Sequence, residues 1–145
     1  MTRSPFSILW LFVSTIVLCL SGCGSPHGTV KVTGQVTVDG QPPPGPGRLT
    51  FNVVEPASGF PNRPAMAKFD TDGKFAATTF DPGDGVLPGS YTISIECYET
   101  PPNMEGKPEK SYIAAKYMNG ETSGYELDVS PGARPIEFNV ELSSE

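Results

Sequence analysis

Glycine and proline interrupt this chain so often that long helices have little room. The 145 residues include 16 glycines and 16 prolines, and both residue types break helices. Between these breaks apolar and polar residues alternate. One face of residues 29–38 carries Val30, Val32, Val36 and Val38, with Gly34 among them. A period of two is typical of a strand with one buried face, so the sequence predicts an all-β protein.

Seven segments share this one-sided pattern. They cover residues 29–38, 48–54, 65–69, 74–80, 90–98, 125–129 and 135–142. Turn sequences separate several of them, among them Asp39-Gly40 and Pro131-Gly132. Short strands with frequent turns favour an antiparallel sandwich over a parallel sheet. The predicted fold is therefore a seven-stranded antiparallel β-sandwich.

An apolar stretch follows Arg3 and ends in the sequence Leu20-Ser21-Gly22-Cys23. A transmembrane helix needs about 20 apolar residues, and Ser14-Thr15 interrupts this shorter run. An ordinary secretory signal would fit the same layout, but it requires no cysteine at that position. The segment resembles a bacterial lipoprotein signal, with Leu20, Ser21, Gly22 and Cys23 as its lipobox. This resemblance implies cleavage between Gly22 and Cys23, and attachment of diacylglycerol, with fatty chains such as palmitate, at Cys23.

The predicted signal divides the chain into three parts. Residues 1–22 are the signal peptide, residues 23–28 are a lipidated cysteine with a flexible polar tether, and residues 29–145 are the sandwich domain. After cleavage nine of the 10 basic residues and all 16 acidic ones remain, so the formal net charge is −7. This charge disfavours nucleic acid and anionic lipid headgroups as partners. The N-terminal lipid is therefore the predicted contact with the membrane.

Cysteine and histidine are too few to form the usual catalytic or metal sites. Cys97 is the only cysteine besides Cys23 that remains after cleavage, so the monomer forms no internal disulfide. His27, the only histidine, precedes the first strand, which leaves no Ser-His-Asp, Cys-His or zinc arrangement within the sandwich. Cys97 shares a strand face with Ile93 and Ile95, which predicts a buried, unreactive thiol. The sequence predicts no catalytic residue, metal or cofactor.

Four aspartates leave one alternative open. Asp70 and Asp72 precede a glycine in a pattern that begins like a calcium loop, but the later ligands of an EF-hand are missing. The same residue types favour tight turns. Asp81 and Asp84 occur in the next loop, and the sequence does not fix whether all four converge on a cation.

Three stretches of this chain resemble carboxypeptidase-regulatory-like domains. Residues 32–42 form a valine-rich strand that encloses a glycine and runs into Asp-Gly-Gln-Pro, residues 69–75 resemble the hairpin of these domains, and residues 87–93 resemble the entry of a later strand. Because these domains are similar to transthyretin, the resemblance implies an Ig-like or prealbumin-like sandwich. They accompany enzymes as stabilising or interaction modules, so the resemblance implies no enzymatic activity.

The whole layout resembles a group of small bacterial lipoproteins with a lipobox cysteine, a short tether and one such domain. Residues 114–117 and 122–124 stand where that group has two further motifs, with Ala114 in place of a proline. The resemblance implies a lipid-anchored protein of the cell envelope that faces the periplasm or the cell surface. Gly24, not aspartate, follows the lipid cysteine, which favours the outer membrane over the inner.

Tyr98, Tyr112 and Tyr117 flank the predicted loop of residues 99–111. Their rings either form a platform for a ligand or cover the end of the sandwich. The leading hypothesis is a non-catalytic structural or interaction module with an envelope protein or glycan as its partner. The alternative is an envelope protein that binds glycan or peptide through its long loops. An enzyme acting through loop carboxylates is a weaker hypothesis, since most acidic residues fall on outer strand faces.

Overall fold

A computed structural model describes residues 27–101, 104–105 and 110–145. The strands are β1 (Val32–Val38), β2 (Gly47–Pro56), β3 (Ala65–Phe69), β4 (Lys74–Ala76), β5 (Gly89–Thr100), β6 (Lys110–Ser111), β7 (Glu126–Val129), β8 (Ile136–Glu137) and β9 (Val140–Leu142). A 3-10 helix spans Ala115–Met118. The predicted all-β character is confirmed. The described residues contain more strands than the predicted set because β6 lies in a predicted loop and β8 and β9 divide one predicted strand.

The larger sheet has the order β3-β2-β5, and both β6 and β7 pair with β5. All of these pairings are antiparallel, as predicted. β2 and β5 form the longest ladder, which extends from Gly47 opposite Cys97 to Pro56 opposite Gly89. The two long central strands therefore support each other along nearly their whole length.

β1 is the central strand of the smaller sheet. β4 pairs with it antiparallel, whereas β8 and β9 pair with it in parallel. The prediction of a fully antiparallel sandwich is therefore wrong at this edge. β7 runs towards the end of the molecule where β1 begins, and the chain turns there and crosses to the other sheet. A strand that starts at that end beside β1 runs in the same direction as β1.

The loops gather at two ends of the sandwich. The basal end, where β1 begins, contains residues 27–31, 57–64, 79–88 and 130–135. The apical end, where β1 finishes, contains residues 39–46, 70–73 and the described part of 101–109. The chain therefore enters the fold at the basal end.

The inner faces of the two sheets form one hydrophobic core. Side chains that are almost fully buried include Val32, Val36, Leu49, Phe51, Ile93, Ile95 and Val140. Alternate residues of β5 are buried, which confirms the predicted inner face of that strand. Hydrophobic burial of this kind is the main favourable contribution to folding.

β8 and β9 are separated by an irregular step at Phe138 and Asn139. The Phe138 amide donates to the Thr33 carbonyl at 2.8 Å, and the Asn139 side-chain oxygen accepts from the Gln35 amide at 3.0 Å. A Cβ atom at Gly34 would lie 1.9 Å from the Phe138 carbonyl oxygen. The glycine in this strand therefore permits the close approach of a second backbone.

Two tyrosines cover the outer edge of β9. The Tyr125 hydroxyl donates to the Glu141 carbonyl and accepts from the Glu141 amide. The Tyr117 hydroxyl accepts from the Ser143 amide at 3.3 Å, and the Ser143 carbonyl accepts from the Ala114 amide at 3.0 Å. An exposed edge presents unpaired backbone groups to other strands, so these contacts take the place of a neighbouring strand.

Candidate functional site

The predicted lipid attachment site, Cys23, lies outside the described residues, as do the lipobox residues Leu20, Ser21 and Gly22. His27 is the first residue that the structure describes. The basal end of the sandwich is therefore the part of the fold that lies nearest in sequence to the predicted anchor. Its surface is the first candidate for a functional region.

A stack of one cation and two rings occupies the basal end. The ring centroids of His27 and Phe80 lie 4.3 Å apart, with 32° between the ring planes. The guanidinium carbon of Arg63 lies 4.5 Å from the Phe80 ring centroid, within the range of a cation–π interaction. His27 and Arg63 are exposed and Phe80 is half-buried, so the stack lies on the surface.

Asp84 holds the loop that presents Phe80. Its carboxylate accepts hydrogen bonds from the amides of Thr79 at 2.8 Å and Phe80 at 3.1 Å. Its carbonyl accepts from the Thr29 hydroxyl at 2.7 Å, which joins the loop to the chain entering β1. β4 ends at Ala76 and not at the predicted residue 80. Ala77 and Thr78 still make backbone bonds to Val32 and Met66, and the Asp84 bonds replace strand pairing only at Thr79 and Phe80.

Phe60 adds a second half-buried ring to the basal end. Its amide donates to the Ala57 carbonyl at 3.0 Å, and Gly59 in the same turn has a φ of 87°, a backbone conformation that favours glycine. A Cβ atom at Gly28 would lie 3.1 Å from the Phe60 ring, so the entering chain passes close to that ring. The basal surface is defined by His27, Phe60, Arg63 and Phe80.

The four aspartates considered as cation ligands are divided between the two ends of the fold. Asp70 and Asp72 each accept a bond from a backbone amide in the β3–β4 turn, at 3.2 and 3.0 Å. Asp81 and Asp84 belong to the basal loop, where the Asp81 carbonyl accepts from the Asp84 amide at 3.0 Å. In the described ranges no group of three or more His, Cys, Asp or Glu residues could hold a metal ion. These aspartates therefore serve their own turns.

Cys97 lies in the core, as the strand pattern predicted, with no exposed surface. Its Sγ atom lies 3.5 Å from the Gly45 carbonyl, to which the thiol donates. Burial raises the pKa of the Cys97 thiol, and the Gly45 contact only partly opposes this effect. A thiol is nucleophilic as its thiolate, so this environment disfavours reaction.

Tyr98, Tyr112 and Tyr117 take separate positions. Tyr117 is only 7% exposed, and its hydroxyl lies 3.2 Å from the Ser143 hydroxyl. Tyr112 is half-buried over Gly45, where a Cβ atom would lie 2.9 Å from the ring. Tyr98 lies on the outer face of β5. Tyr112 and Tyr117 therefore cover the sandwich, and the three rings form no common platform.

Two shallow grooves cross the outer faces of the sheets. One of about 540 Å³ lies over β1, and its lining includes Gln35, Lys74 and Glu137. The other, of about 760 Å³, lies between the β2–β5 face and residues 118–121. None of the three tyrosines lines either groove. The loop residues predicted for ligand binding are thus distinct from the residues of these two concave surfaces.

Sequence reasoning missed Arg63, Phe80 and Tyr125. Arg63 lies between prolines, and Phe80 follows a strand that ends early, so strand alternation gives neither side chain an orientation. The available signal was Asp84, since an aspartate in a glycine-rich turn often accepts bonds from nearby amides. Tyr125 was assigned to a strand, and its contact with β9 depends on tertiary structure.

A scan against protein-family models and a search of curated proteins both found no match to this chain. Among the residues that the structure describes, no helix has the length and apolar character needed to cross a membrane. The chain's own residues therefore carry the functional assignment.

Proposed function

We propose that this protein is a lipid-anchored β-sandwich of the bacterial cell envelope that acts as a non-catalytic structural or interaction module. Residues 1–22 are its signal peptide, cleavage separates Gly22 from Cys23, and Cys23 carries the lipid. The sandwich faces the periplasm or the cell surface, from the outer membrane in preference to the inner. The observation that carries this proposal is the lipobox sequence Leu20-Ser21-Gly22-Cys23, which lies four positions before His27, a residue whose ring already contacts Phe80 of the sandwich.

We also propose an Ig-like, prealbumin-like sandwich of seven principal strands, related to carboxypeptidase-regulatory-like domains. β8 and β9 count as one interrupted strand because both pair with β1 in the same direction. The two-residue β6 is an addition beside β5. Gly34 lies in the valine-rich motif that resembles these domains. Its lack of a side chain is explained by the close approach of the Phe138 carbonyl.

A non-catalytic role is supported by the contacts of the chemically capable side chains. The Cys97 thiol is buried and has a raised pKa. His27 stacks on Phe80, and the carboxylate of Asp84 accepts bonds from two backbone amides. These groups stabilise the fold, which leaves the module interpretation as the simpler one. A hydrolase screen at several pH values, with and without calcium, tests it, and turnover lost on substitution of a loop carboxylate would contradict it.

Metabolic labelling with a radioactive fatty acid tests the anchor. The parent protein should incorporate label, and Cys23→Ala should lose it because the thioether cannot form. Cys97→Ala is the matched control, since it removes the other cysteine of residues 23–145 and should keep the label. Mass spectrometry of the native N-terminus should find a lipidated Cys23. Equal label in the parent and Cys23→Ala, or retention of residues 1–22, would contradict the proposal.

Ligand binding at the apical end is the second candidate function. Tyr98 supports it, because this half-exposed ring lines a depression together with Arg48 and Glu96. A glycan and peptide array should detect a ligand that is lost with Tyr98→Ala and retained with Tyr112→Phe. If no ligand is retained by the parent protein, the structural module alone remains.

A further inference from the structure

The basal surface combines two half-buried phenylalanine rings with an exposed histidine and an exposed arginine at the point where the chain enters the fold. We propose that His27, Phe60, Arg63 and Phe80 lie against the phospholipid headgroups of the membrane that holds the Cys23 lipid. This inference rests on the proposed anchor and adds an orientation to it. The sandwich would stand on its basal end, with the apical loops directed away from the bilayer.

The length of chain before His27 limits the distance between the fold and the membrane. Three residues separate Cys23 from His27, and an extended chain spans at most about 3.6 Å per residue, so the two Cα atoms lie within about 14 Å. A domain of this size has a radius of gyration of about 13 Å. β5 alone has 12 residues and is therefore about 40 Å long. Because the tether is much shorter than that, the sandwich cannot stand on its apical end while Cys23 stays in the bilayer.

The side chains of the basal surface suit the membrane interface. Phenylalanine side chains of surface-bound segments insert at the boundary between headgroups and acyl chains, and arginine places its apolar stem there while its charge meets phosphate. Arg63 contacts the Phe80 ring and has no carboxylate partner among the described residues. Its guanidinium is therefore available to a phosphate. The loop bonds of Asp84 hold Phe80 in place before any contact with lipid.

Charge differs between the loops of the two ends. The apical loops expose Asp39, Asp70, Asp72 and Glu105. The basal loops expose Arg63, Arg134 and Asp81. The exposed carboxylates of the loops thus lie mostly at the apical end, away from the proposed membrane contact, whereas Glu55 and Asp128 lie on strands near the basal end. Electrostatic repulsion of the apical end and attraction of Arg63 favour the same orientation.

Tryptophan fluorescence can test this orientation without a background signal, because the only tryptophan, Trp10, belongs to the signal peptide. Processed, lipidated variants would be placed in vesicles of phosphatidylethanolamine and phosphatidylglycerol, with and without brominated acyl chains. Phe60→Trp and Asn62→Trp are the basal reporters. Because Asn62 is exposed, Asn62→Trp should fold normally and keeps the test valid if Phe60→Trp is destabilised. Gln41→Trp and Tyr112→Trp are the apical controls. Quenching should be several-fold stronger at the basal positions.

Charge reversal provides the second measurement. Arg63→Glu, in the Asn62→Trp background, should lower quenching and remove its dependence on phosphatidylglycerol. Lys68→Glu makes the same charge change on the exposed face of β3 and should leave quenching unchanged. An equal loss in both variants would overturn the role of Arg63.

Flotation of the same vesicles separates this inference from the anchor. Protein that fails to float with vesicles overturns the anchor, and the basal inference falls with it. Protein that floats but shows equal quenching at basal and apical positions retains the anchor and overturns the orientation. A photoreactive residue at position 62 that cross-links to a second copy or to another protein, in place of lipid, would also overturn it.

Discussion

The two sheets of this sandwich are stabilised in different ways. In the larger sheet β2 and β5 pair along nearly their full lengths, so backbone hydrogen bonds and core packing hold the central strands. In the smaller sheet β1 has only short neighbours. Its parallel edge is completed by the side chains of Asn139, Tyr117 and Tyr125. We infer that single side chains matter more for the local order of the smaller sheet, whereas the larger sheet resists changes outside its core.

The largest expected effect tests the core beneath the larger sheet. Phe51→Ala removes a ring with no exposed surface, and truncations of this kind cost about 3–5 kcal/mol of stability. Urea unfolding followed by circular dichroism measures the loss. The matched control is Val54→Ala on the same strand, where the side chain is 64% exposed and the change should be about 0.5 kcal/mol or less. Similar losses in both variants would contradict the core assignment.

The second-largest effect is expected from a substitution in the smaller sheet. In Gly34→Ala the new methyl group would meet the Phe138 carbonyl, which lies 1.9 Å from the ideal Cβ position. The strands must then separate, and overpacking of this kind costs about 1–3 kcal/mol. Hydrogen exchange should be accelerated first at the Phe138 amide, which donates to Thr33, while β5 amides stay protected.

Thr33→Ala is the control for this change, because Thr33 is the exposed neighbour of Gly34 on the same strand. It should leave both the free energy of unfolding and the exchange of Phe138 close to those of the parent. If Gly34→Ala were as stable as Thr33→Ala, the close approach of β1 to the step at Phe138 would be wrong.

The same comparison shows what the sequence could predict. Alternation identifies which side chains of β2 and β5 face inward, because one strand's own pattern determines its buried face. It does not identify which strands pair with each other, so the parallel pairing of β8 and β9 with β1 was not predicted. The contact of Tyr125 with Glu141 joins positions 16 residues apart in sequence, and no local pattern encodes it.

The candidate site divides in a similar way. Cys23 was identified from the lipobox pattern and remains a prediction, since it lies outside the described residues. The basal surface was not predicted, because Phe60, Arg63 and Phe80 lie in loops whose orientation depends on turn bonds. Burial of Cys97 was predicted correctly from its position on β5.

A smaller effect is expected at the covered edge of β9. Tyr125→Phe keeps the ring but removes the hydroxyl that bonds to both backbone groups of Glu141. Water can partly replace these bonds at the surface, so the expected loss is about 1 kcal/mol. Tyr112→Phe is the matched control and should cost less. Hydrogen exchange should increase at the Glu141 amide alone, and an unchanged rate there would contradict the edge-covering role.

The smallest difference is expected only at alkaline pH, where Tyr91 of the larger sheet and Tyr117 of the 3-10 helix have opposite pKa shifts. Burial raises the pKa of Tyr91, on the larger sheet, above its usual value of 10.0. Hydrogen bonding to Ser143 lowers the pKa of Tyr117, at the edge of the smaller sheet. A raised pKa means that the folded state disfavours ionisation, so stability present below pH 10 is lost as pH rises. A lowered pKa gives stability that is fully present above pH 10 and lost as pH falls.

Urea unfolding at several pH values between neutral and strongly alkaline would measure these opposite contributions. Tyr91→Phe should make the alkaline loss of stability shallower, and Tyr117→Phe should make it steeper. The slopes with pH are compared, because Tyr91→Phe also removes a bond to the Leu87 carbonyl at 2.8 Å and costs stability at every pH. Tyr125, whose pKa is raised mainly by burial, adds to the loss in both variants. Equal slopes in the two variants would mean that the covered edge of β9 and the buried core present the same environment to a phenol, and the distinction between the sheets would fail there.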